Sequence, residues 1–104
     1  MNAPSIFRQT ARELAAQADE HAQAGRHQLG RCAAELGLLY LEFETNPPPG
    51  EHGRLAWDAA EEARESLAYG TAVGCGSNTS RARLHLALAA LDEHPADCAP
   101  AAHH

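Results

Sequence analysis

β-Branched residues are almost missing from this chain, which holds one isoleucine (Ile6), one valine (Val73) and four threonines among 104 residues. Strands draw heavily on such side chains, because they fit a pleated, half-buried surface. Alanine, leucine, arginine and glutamate dominate instead, and these lose little rotamer freedom in a helix. The sequence therefore predicts an all-α fold. Alanine removes little apolar area from water and only 5% of the residues are aromatic, so the core is thin for its length. A small helical bundle completed by dimerisation is the expected architecture.

Lysine is absent altogether. That removes a Schiff-base residue, a phosphate-loop lysine and a lysine general base. The formal net charge of −6 argues against nucleic acid and against an anionic membrane surface, both of which need a basic field. No apolar run reaches the length of about 18 residues that a membrane span needs. Met1 to Ile6 lacks the basic and apolar regions of a leader peptide, so the expected location is cytoplasmic. Cys32, Cys75 and Cys98 are odd in number and widely spaced, which reads as free thiols and not a disulfide framework, with Cys32 the one expected to be buried. The preference for Ala, Arg, Gly and Pro over Lys, Ile and Asn points to a GC-rich bacterial genome.

Ser5 is placed to cap a helix. Apolar residues then recur at helical spacing through Phe7, Ala11, Leu14 and Ala18, and again through Leu29, Cys32 or Ala33, Leu36, Leu39 or Tyr40, and Phe43. No proline interrupts residues 5–45, and a glycine inside a helix costs only about 1 kcal/mol. The favoured reading is one long helix bent near Gly25; two helices broken there are the alternative. Pro47-Pro48-Pro49 ends the segment and makes a stiff connector. A second helix is expected over residues 52–69, with Leu55, Ala56, Ala59, Ala60, Ala63 and Leu67 as its apolar stripe and Gly70 as its stop. Residues 70–80 read as a loop. A third helix follows over residues 81–93, with Leu84, Leu88 and Leu91 on one face and Ala82, Leu86 and Ala90 beside it. Residues 1–94 form a single helical domain on this reading and 95–104 a flexible tail, with no defensible internal repeat. Leu29, Leu36, Leu39, Tyr40 and Phe43 are the expected dimer contacts. Trp57, on the border of its helix's apolar stripe, is a further interface candidate or a core residue.

Seven histidines and three cysteines raise the question of metal. The best local spacing is His94-x3-Cys98 with His103 close behind, since imidazole and thiolate suit zinc, nickel or copper. Pro95 prevents a regular helical pair there, so no metal or other cofactor is assigned. His21, His27 and Cys32 fall on different faces of a helix. No Glu-x-x-His occurs, which excludes the usual di-iron pattern of helical bundles. Glu42 and Glu44, and Glu61, Glu62 and Glu65, read as solvated faces or as an acidic docking surface for a basic partner. The glycines at 70, 74 and 76 lack the lysine of a phosphate loop, Ser77 standing in its place. Cys75, between two of them, reads as a loop thiol near a helix start, with His85 as its base only if the loop folds back.

Residues 61–95, a helix pair with small packing residues, Ala87-Leu88 in its second helix and a closing Pro95, resemble a tetratricopeptide repeat without the large aromatics of its first helix. That resemblance implies a surface that binds partner proteins. The expected function is that of a non-enzymatic, small, acidic helical protein acting through protein–protein interaction, as an adaptor, chaperone-like or regulatory module. Its partners would be a second copy of itself and another protein. The alternative is a His/Cys metal-binding or thiol-based sensor of the all-helical type.

Overall fold

The computed structural model describes residues 5–93. Over that range the chain forms four α-helices and no strand: α1 (Ile6–Gln23), α2 (His27–Thr45), α3 (Gly50–Ala68) and α4 (Ala72–Glu93). The all-α expectation holds, but the single long N-terminal helix does not. Residues 6–45 are two antiparallel helices that turn at Gly25. Ser5 caps α1, its hydroxyl accepting from the Phe7 and Arg8 amides. At the other end Gly25 takes φ +81°, a left-handed conformation that glycine adopts without steric penalty. The Gly25 N–H then donates to the Ala22 carbonyl and the Arg26 N–H to the His21 carbonyl. This paired closure satisfies carbonyls that a helix end otherwise leaves open. Continuing the helix costs about 1 kcal/mol at one glycine, whereas folding back buries a whole apolar stripe against a second one, so the turn wins.

Gly70 repeats the device at φ +75°, with Gly70 N–H to Leu67 O and Thr71 N–H to Ser66 O. Two helical hairpins result, α1–α2 and α3–α4, joined by the proline connector. Residues 70–80 are not the expected loop, because α4 begins at Ala72. Val73, Gly74, Gly76, Ser77, Asn78 and Ser80 are weak helix formers. Packing overrides them: Cys75, Thr79, Ala82 and Ala89 are buried, with Leu86 against the same core. These five sit at alternating spacings of four and three, one continuous helical stripe.

α1 packs on α2, α3 packs on α4, and α2 alone bridges the hairpins by meeting both α3 and α4. The core consists of Ala11 and Leu14 from α1, Ala33, Leu36, Leu39, Tyr40 and Phe43 from α2, Ala56 through Leu67 along one face of α3, and the α4 stripe. Small residues at the α3–α4 seam, Ala56, Ala60, Ala63 and Ala82, bring the two helices close. The molecule is a thin slab. Its Cα atoms extend 53 × 39 × 17 Å with a radius of gyration of 15.4 Å, against about 13 Å for a compact domain of this length. No helix among the described residues is long and apolar enough to cross a membrane.

Candidate functional site

A broad concavity among the described residues follows from this connectivity. The α1 and α3 backbones do not approach one another, and the gap between them is a groove of about 770 Å³. Leu14 and Leu67 form its apolar floor. Glu13 and Glu20 rise from α1, and Glu61, Glu62 and Glu65 from α3. Arg64 is its central cation, 3.9 Å from Glu13 across the gap and 3.7 Å from Glu61 one turn away on its own helix, with its guanidinium 5.8 Å from the centroid of the Tyr40 ring. Glu61 also accepts a hydrogen bond from the Tyr40 hydroxyl. Burial, then that carboxylate, holds the Tyr40 phenol well above its ordinary range, so it remains a neutral donor that fixes Glu61 at the groove's base. Five carboxylates against Arg64 and His21 leave the lining acidic.

The acidic run on α3 was visible in the sequence as Glu61, Glu62 and Glu65. Its counterpart was not, because Glu13, Gln17 and Glu20 face it only after α1 folds back along α2. Their spacing of four and three, a polar stripe beside the apolar one, was the available signal. Glu42 and Glu44 do not join this site: Glu44 pairs with Arg8 at 2.9 Å, and Glu42 borders a separate depression beside Arg83.

The residues expected to meet a second copy fall mostly inside the protomer. Leu36, Leu39, Tyr40 and Phe43 are buried within the chain's own core, and Leu29 packs partly against it. Trp57 completes a cluster with Phe7, Tyr40 and Phe43, ring centroids 5.5, 5.8 and 6.0 Å away, while 38% of its surface remains exposed. The open apolar surface lies instead on the outer face of α4, where Leu84 and Leu91 are more than half exposed and Leu88 lies between them. The inward stripe of α4 is the smaller one through Ala82, Leu86 and Ala89.

His52 of α3 and His85 of α4 meet with their Nδ1 atoms 3.0 Å apart. The ring centroids are 5.2 Å apart, so the nitrogens lead and the rings do not overlap face to face. One Nδ1–H donates to the other Nδ1, and Asp92 stands 4.0 Å from His52 Nε2. This pins the open ends of the second hairpin together. His85 is therefore engaged with His52 and does not serve Cys75. Cys75 is fully buried on α4 beside Cys32 of α2, which is half-buried. Among the described residues no group of three or more His, Cys, Asp or Glu is arranged to hold a metal ion. His94, Cys98 and His103, the metal candidates read from spacing, and the 95–104 tail lie outside the described residues. Compared with protein-family models, curated proteins and solved structures, the chain matches none.

Proposed function

We propose that this chain is a non-enzymatic interaction module of the cytoplasm that binds a basic segment of a partner protein in the α1–α3 groove. The observation that carries the reading is the groove itself, a 770 Å³ trough with an apolar floor and five carboxylates on its walls. A helix or extended peptide with arginines or lysines flanking an apolar stripe complements both features. Fluorescence anisotropy with a labelled basic amphipathic peptide tests it. Binding is expected to weaken as salt rises, because exposed charges are screened. Replacing Glu20, Glu62 and Glu65 together by Gln should weaken binding about tenfold, equivalent to ~1.4 kcal/mol, with far-UV circular dichroism unchanged. Equal binding by the triple variant, or by an acidic peptide of the same apolar pattern, would remove the groove from consideration.

The same module works as a homodimer in this reading. Support comes from the thin slab and from the leucine face of α4, whose exposed residues at positions 84 and 91, with 88 between them, match the narrow seam by which helices pair. Leu84→Glu combined with Leu91→Glu is expected to convert a dimer to a monomer in light scattering while helicity persists, since neither side chain belongs to the core. A wild-type chain that stays monomeric across micromolar concentrations would end the dimer reading and leave the groove reading intact.

A further inference from the structure

We propose that Cys32 and Cys75 form a reversible disulfide that fastens the first helical hairpin to the second. This inference is independent of the groove and of dimerisation. Cys32 lies on α2 and Cys75 on α4, the helix pair through which the two hairpins meet. The Cys32 sulfur sits on the first turn of α4: it is 3.6 Å from the Ala72 carbonyl oxygen and 3.5 Å from the point where a Cβ on Gly76 would stand. Cys75 occupies the same turn, between Ala72 and Gly76, the two residues that the Cys32 sulfur approaches. Burial, then the neighbouring Cys32, pushes the Cys75 thiol up to about 11, so Cys75 keeps its proton at neutral pH. An independent feature points to chemistry here. The Thr79 hydroxyl, one turn along α4, is 1% exposed and has no hydrogen-bond partner. Thr79 follows Cys75 by four residues on the same buried face of α4, so turning its hydroxyl toward the sulfur would satisfy it and lower the cost of losing the thiol proton.

Exposure assigns the two roles. Cys32 is the partly exposed residue of the two and so the one nearer to an oxidant in solution, whereas Cys75 is buried in the core. With a peroxide as oxidant, the Cys32 thiolate attacks one peroxide oxygen and the O–O bond breaks. Cys32 becomes a sulfenic acid, and the departing hydroxide takes up a proton as water. The Cys75 sulfur then attacks the Cys32 sulfur, the S–O bond breaks, and hydroxide leaves with the Cys75 proton as a second water. Two thiols are oxidised to one disulfide and one peroxide is reduced to two waters. The bond closes a loop through both hairpins, which restricts the unfolded chain.

The experiment uses the full chain with Cys98→Ser, treated with hydrogen peroxide, alkylated and digested with trypsin without reduction. Lacking lysine, the chain is cut only after arginine, which places Cys32 and Cys75 in separate peptides, residues 32–54 and 65–81. The expected product is these two peptides joined, in a chain that remains monomeric on a denaturing, non-reducing gel. Its melting temperature should rise on oxidation, return with dithiothreitol, and stay constant when Cys32→Ser is added. Recovery of both peptides singly alkylated, or of Cys32 trapped as a stable sulfenic acid with Cys75 free, would overturn the proposal. So would a cross-link between two chains. Should Cys98→Ser impair folding, the wild-type chain gives the same map, because Cys98 falls in a third peptide, residues 84–104.

Discussion

Trp57→Ala is expected to lower stability by about 3 kcal/mol, the low end of the range for removing a buried large aromatic. The low end applies because 38% of the side chain already faces water. What is lost is a junction. Trp57 of α3 sets its ring edge-on to Phe7 of α1 and to Tyr40 of α2, and tilted against Phe43. Those contacts tie α1, α2 and α3 together where the α1 and α3 backbones do not meet. For a domain of this size the loss corresponds to a fall in melting temperature of roughly 12–24 °C. Tyr69→Ala is the control, since Tyr69 is 79% exposed and such surface changes stay within about 0.5 kcal/mol. Thermal denaturation of both variants beside their masses in solution decides the point. A Trp57→Ala protein that melts normally but changes oligomeric state would make the residue an anchor between chains, against the core role argued from the cluster.

Residue composition and periodicity carried the helical class, because both act through local conformational cost. The Ser5 cap, the proline connector and the Gly70 stop were readable for the same reason: each changes what the backbone can do at one position. The break at Gly25 was only half readable. A glycine inside a helix and a glycine that ends one look alike in sequence, and the choice lay in whether a partner stripe waited to be covered. The start of α4 was masked more completely, since Val73 through Ser80 favour coil locally and only burial of Cys75, Thr79 and Ala82 makes them helical. The three regularly spaced leucines of α4 drew attention to its outer face, while its inner face is made of smaller residues chosen by the alanine-rich surface of α3. The groove and the cysteine pair could not be read from one segment. Each juxtaposes helices far apart in sequence, so each depends on the hairpin turns that set the pairing.

Gly53→Ala reverses the usual sign of a helix substitution. Alanine in place of glycine inside a helix normally adds up to about 1 kcal/mol of stability. At Gly53, in the first turns of α3, an added Cβ would overlap the Pro48 carbonyl oxygen and stand 2.6 Å from its carbon. Neither atom belongs to a flexible side chain. Pro48 lies between Pro47 and Pro49, whose rings fix φ, so the connector has little freedom to yield. Relief must come from moving the start of α3, which carries Ala56 and Trp57 into the core two turns from the connector or less. A loss of about 2–3 kcal/mol is expected, in the upper part of the range for overpacking. Gly37→Ala provides the opposite case: it too lies buried in a helix, but its Cβ would meet the Ala11 carbonyl and Leu14 at 3.5 Å, an ordinary contact. That variant should gain about 0.5–1 kcal/mol from helix propensity. Urea denaturation of the pair reads out both signs. If Gly53→Ala is neutral or stabilising, the proline connector is free to move, and the two hairpins are held together by α2 and its cysteine contact without its help.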